Sequence, residues 1–187
     1  VWGSALVVQC NAFNSQAGWL FMHRFFALMA WVGGLLHVLC SFTDGMEHLA
    51  WVQAVYMTLN LMLMLAVVGL WRAQGERWGL LGQVGFVLAA CGLGVISGQN
   101  GQLFGVKIYE VGSPVLALGM VLVSVAQLRL HSLRELPGGT VGPCLLLASV
   151  VTGVASLAVA PTLMVRAAGV LFGLALMAQA RPHTFRA

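Results

Sequence analysis

WVQAVYMTLNLMLMLAVVGLW, residues 51–71, runs for 21 positions without a charged side chain, and its reading decides the fold. About 20 apolar residues in a helix rise about 30 Å, the thickness of a bilayer's hydrocarbon core. A helix so apolar all round has no water-facing side, so the stretch is expected to cross a membrane. Arg72, Gln74, Gly75, Glu76 and Arg77 close it, and a second apolar window, Trp78–Gly98, begins at once.

The same pattern recurs outward in both directions. Trp19–Phe42 is a window ended by the polar turn Thr43–His48, and Tyr109–Leu128 carries Pro114 in its first turns, where proline is best tolerated. Between them, Gln99–Lys107 is rich in Gly, Gln and Asn, and Arg129–Gly142 is the longest connection. The apolar run Pro143–Ala180 is too long for one crossing, and Pro161 near its middle predicts a tight turn between two helices. The expected fold is therefore all-α, one transmembrane domain over residues 1–187 with helices at about 19–42, 51–71, 78–98, 109–128, 143–160 and 162–180. Composition agrees: 60% of residues are hydrophobic and 7% charged, against about 25% charged in a soluble domain.

Basic residues near short loops set membrane orientation. Arg24, Arg72, Arg77, Arg129, Arg134, Arg181 and Arg186 all fall on one side of a six-helix bundle, and Lys107 falls in a loop on the other. Both termini are thus expected in the cytoplasm, and the net charge of +4 records topology rather than affinity for nucleic acid. Trp51, Trp71 and Trp78 stand at window ends, where an amphipathic ring favours the headgroup layer. Val1–Gln9 lacks a basic start and is not expected to be a signal peptide.

In lipid, helices associate where small residues let backbones approach. Gly94 with Gly98, Ser149 with Gly153, and Gly169 with Gly173 each form such a four-residue step and are expected at helix contacts. Asn60 and Gln83 are expected to bond between helices. The segments Val67–Ile96 and Val121–Val151 echo each other as apolar helix, basic loop and Gly-rich helix. Cys10, Cys40, Cys91 and Cys144 are scattered singly, which suits small buried hydrophobes rather than a zinc site or redox dithiol.

Candidate chemistry is sparse. His23 and His37 lie fourteen residues apart on one helix, which returns them to nearly one face about 21 Å apart. That spacing resembles the two-haem helix of b-type cytochromes, but the matching histidines of a second helix are missing, since His48, His131 and His183 fall in loops or the tail. His37 remains a candidate ligand for one haem or a chlorophyll-type pigment, and His23, beside Arg24, a weaker one or a headgroup contact. Glu110 and Arg166 sit a few residues inside the outer ends of their windows and could form a buried or interfacial ion pair. No Gly-x-Ser-x-Gly, His-Glu-x-x-His or phosphate-binding glycine loop is present, so no catalytic residues and no metal ligands are assigned and the reading leans away from an enzyme.

Leu70-Trp71-Arg72-Ala73-Gln74 leading into Gly79–Phe86, the Leu136-Pro137-Gly138-Gly139 turn and the Gly169–Ala175 helix resemble uncharacterised small multi-pass bacterial membrane proteins. The resemblance implies a six-helix protein of the bacterial cytoplasmic (inner) membrane and carries no activity. Three functions are open: an accessory or scaffolding subunit of a larger respiratory or photosynthetic membrane assembly, a pigment or haem binder using His37, and a small-solute or lipid-binding carrier opening near Glu110 and Arg166. Membrane lipid and other membrane-protein subunits are the expected partners.

Overall fold

The computed structural model describes the backbone of residues 2–43, 49–97, 102–103, 106–130 and 139–184, and the side chains of 21–43, 49–97, 110–130 and 139–180. Among the described residues the chain forms six α-helices: α1 (Trp2–Cys40), α2 (Ala50–Gln74), α3 (Gly79–Ile96), α4 (Ile108–Leu130), α5 (Val141–Ala155) and α6 (Pro161–Thr184). Two short strands, β1 (Gln102–Leu103) and β2 (Val106–Lys107), pair antiparallel in the α3–α4 connection. Five of the helices are long and apolar enough to cross a membrane, and α5 is a shorter apolar helix.

The largest departure from expectation is at the start. α1 begins at Trp2 rather than near residue 19, because Asn11, Asn14, Ser15 and Gln16 are polar without interrupting the backbone ladder. Within this helix Phe21–Cys40 is long and apolar enough to cross a membrane. The chain then reverses at Gly79, whose φ of 63° suits glycine, after a single 3₁₀ turn at Gly75–Arg77.

Pro161 does separate two helices. It opens α6, where its missing N–H costs nothing, and Ala160 before it takes a φ of 42° to reverse the chain. α5 itself ends at Ala155, five residues short of expectation, yet backbone bonds continue through Ser156 to Thr152, Ala158 to Ala155 and Val159 to Ala155 at 3.0–3.1 Å. Helix and bonded turn together occupy residues 141–159.

The helices pack in chain order, α1 on α2, α2 on α3 and so on, and α6 returns to pack on α1. This closes a ring of three antiparallel hairpins. Leu59, Leu63, Leu93, Met120, Leu146 and Leu176, drawn from five helices, form the central cluster. The outer surface carries large exposed hydrophobics on every helix, as a lipid-facing protein requires.

Glycines set the closest approaches. On α3 and α4, Gly85, Gly92, Gly112 and Gly119 face one another at seven-residue steps: a Cβ on Gly119 would lie 2.7 Å from the Gly85 carbonyl oxygen, and one on Gly92 would lie 2.7 Å from Leu116 Cα. α1 and α6 meet at Gly34 and Gly173, each against the other's carbonyl, and Gly169 packs on Ser41 and His37. Gly94 is exposed with open space where a Cβ would stand, so the expected contact on this helix is made by Gly85 and Gly92 instead. Gly98 lies outside the described residues.

Candidate functional site

The polar side chains with the most specific arrangement are three glutamines at one end of the ring. Gln127 Nε2 donates to Gln74 Oε1 at 3.3 Å, and Gln179 Nε2 donates to Gln127 Oε1 at 3.4 Å. The chain thus ties α2, α4 and α6 together, one helix from each hairpin, across sequence separations of 53 and 52 residues. Each glutamine follows an alanine, Ala73, Ala126 and Ala178, and precedes an arginine by two or three positions, at Arg77, Arg129 and Arg181. The near-equal spacing gives the three hairpins a common register.

Gln127 is buried, and its two bonds satisfy one group on each side of its amide. Gln179 Oε1 is buried and receives no donor from the protein. Gln179 also lines a cavity of about 30 Å³ between α1, α2 and α6, whose other walls include His23, Phe26, Ala27, Gly69 and Ala73. His23 therefore sits at this end of the bundle, half-buried in the cavity wall, while Arg24, Arg72, Arg77 and Arg129 are exposed.

His37 lies near the other end of α1, facing α6. Its ring is tilted 54° against Phe172 with centroids 5.0 Å apart, and its Nε2 is 3.8 Å from where a Gly169 Cβ would be. Nδ1 is buried without a protein hydrogen-bond partner. Ser41 Oγ nearby donates to the His37 backbone carbonyl at 2.8 Å, not to the imidazole. Among the described residues no three His, Cys, Asp or Glu side chains gather as a metal site.

The remaining candidates are dispersed. Glu110 is exposed on the first turn of α4, Arg166 is half-buried on α6, and α5 stands between their helices in the ring. Asn60 is buried with Nδ2 unpartnered, and Gln83 lies on the exposed face of α3. Among the described residues the bonds between helices include the glutamine chain, Ser149 Oγ, which donates to Ala168 O at 2.8 Å, and Tyr56 Oη on α2, which donates to Cys40 O on α1 at 3.3 Å. Trp78 is buried against Gly82 and Ala126 rather than placed in a headgroup belt, whereas Trp51 is exposed and Trp71 stacks on Phe86 at 5.0 Å. Cys91 and Cys144 face outward, contrary to the buried role expected, and Cys40 is buried.

Helix length and hydropathy define an integral multi-pass membrane protein. No family model, curated protein or solved structure matches the chain.

Proposed function

We propose that the protein is a non-catalytic accessory or scaffolding subunit of a larger membrane assembly, crossing a bacterial cytoplasmic membrane six times with both termini in the cytoplasm. One observation carries this reading: the turn joining α5 to α6 exposes Leu157 at 88% and Val159 at 59%, next to Leu163 at 65% on α6. From Val141 to Val165 the chain has no charged residue, Trp or Tyr, the groups that anchor a helix end in the headgroup layer. An apolar, unanchored outer tip is better covered by another membrane subunit than by water and headgroups. The short α5 adds support, since a crossing completed by a turn is least costly where a neighbour shields its backbone.

The test is the mass of the protein extracted from native membranes in mild detergent. An assembly larger than the 19.8 kDa chain, lost on Leu157→Lys while the variant remains folded, is the expected result. A lone, lipid-bound chain in both cases overturns the reading.

A second reading, a haem or chlorophyll-type pigment held by His37, is favoured by the buried Nδ1 that no protein group satisfies. Purified protein with a Soret or chlorin band that His37→Ala abolishes would support it over the first.

A further inference from the structure

We propose that the end of the ring marked by the glutamine chain binds anionic phospholipid, with Arg24, Arg72, Arg77 and Arg129 holding the headgroups. The fold gathers these charges. Arg72 lies two residues before Gln74 and Arg77 three after it, Arg129 lies two residues after Gln127, and the 3.3 Å bond between the two amides brings these helix ends together. Arg24 follows His23, which shares a cavity wall with Ala73, the residue between Arg72 and Gln74. All four arginines are exposed, and none makes a hydrogen bond or ion pair with a described residue.

Opposing charge is scarce at this end. Glu76 is the one acidic side chain described there, and Glu135 follows in the α4–α5 connection, whereas Glu110 stands on the first turn of α4 at the other end. Arg134 and Arg181 belong to the arginine end by their place in the chain. The surplus positive charge therefore lies where the helices leave the membrane, at the level of lipid phosphates.

What distinguishes a lipid from another anion is the apolar half of the contact. Each arginine has an exposed large apolar side chain within three residues: Phe21 at 74% for Arg24, Trp71 at 40% for Arg72, Leu80 at 79% for Arg77 and Leu130 at 40% for Arg129. Such a pair matches an amphiphile, whose phosphate takes the guanidinium's paired hydrogen bonds while its acyl chain covers the apolar neighbour. Free phosphate or an acidic protein surface answers the charge and leaves the apolar neighbour in water. This surface is separate from the α5–α6 tip and serves whether or not a partner subunit covers that tip.

Electron spin resonance of the full chain in phosphatidylcholine bilayers, with a trace of spin-labelled phosphatidylglycerol or spin-labelled phosphatidylcholine, measures which lipid the protein immobilises. Phosphatidylglycerol should be preferred about fivefold at low salt, the gain expected from one arginine at an anionic headgroup. The preference should fall toward parity in about 1 M salt, where the screening length is about 3 Å. Arg72→Gln, Arg77→Gln and Arg129→Gln together should remove most of it. Equal immobilisation of the two lipids by the unmodified protein at low salt would overturn the proposal and leave the arginines to an acidic protein partner. A preference that survives in the folded triple variant would also overturn it, as would displacement of the lipid by inorganic phosphate at constant ionic strength. Should the triple variant not fold, Arg77→Gln alone, in the exposed turn, must lower the preference.

Discussion

Replacing Gly119 by alanine should loosen the α3–α4 seam more than any comparable change elsewhere on these helices. The added Cβ would lie 2.7 Å from the Gly85 carbonyl oxygen and 2.8 Å from Ala89 Cα, both backbone atoms that cannot rotate away. Ordinary contact needs about 3.5 Å or more, so the helices must part by several tenths of an ångström along the seam. Overpacking of this kind costs about 1–3 kcal/mol, and rigid backbone on both sides argues for the upper half of that range. Gly94→Ala is the matched control: nothing lies within 4 Å of its new methyl, and alanine is favoured over glycine in a helix by up to about 1 kcal/mol. At about 2–4 °C per kcal/mol for a chain of this size, Gly119→Ala should lower the melting temperature in detergent by about 4–12 °C. Gly94→Ala should leave it unchanged or slightly raised. Equal shifts for the two variants would refute the reasoning, because only the seam distinguishes them.

Gln127→Leu leaves Gln74 Oε1 and Gln179 Nε2 without their partners and should destabilise by about 1–2 kcal/mol in thermal unfolding, whereas Gln83→Leu on the exposed face should be neutral. Ser149→Ala removes the bond to Ala168 between α5 and α6 and should cost about 0.6 kcal/mol by the same measurement. His37→Ala loses packing on Phe172 but no side-chain hydrogen bond, so under the accessory-subunit reading the purified protein is colourless with and without the substitution, by absorption spectroscopy.

Much of the architecture was legible because lipid imposes it. Uncharged windows the length of a bilayer crossing, the loops between them and the Pro161 turn follow from hydropathy and breaker residues alone, and most helix ends fall within a few residues of expectation. Residue-level packing was less legible. Four-residue steps such as Gly94–Gly98 mark a small-residue stripe but not which stripe faces a neighbour, and the seam proved to use the seven-residue steps Gly85–Gly92 and Gly112–Gly119. Trp78 misled for a similar reason: its place at a window end suggested a headgroup ring, but the chain turns so sharply at Gly79 that the indole folds under α3 onto Gly82 and Ala126.

The glutamine chain was the structural feature missed. Gln74 read as part of a polar connection, and Gln127 and Gln179 carried no reading of their own. The available signal was the recurrence of Ala-Gln at 73–74, 126–127 and 178–179, which the echo between Val67–Ile96 and Val121–Val151 partly captures at nearly the same offset. Convergence of the three on one another depends on ring closure, a property of α1 meeting α6 that no single window contains.

Six crossings with both ends on one side is the claim on which orientation and partner face both depend, and α5 is its weakest link at 15 helical residues. Single cysteines at 135, 158 and 183 in a cysteine-free background, labelled with an impermeant reagent in oriented membrane vesicles, test it most directly. The account predicts that 135 and 183 react from the same side and 158 from the opposite one. Reaction of 135 and 183 from opposite sides would show that α5 and its turn do not cross, and would contradict the six-crossing bundle.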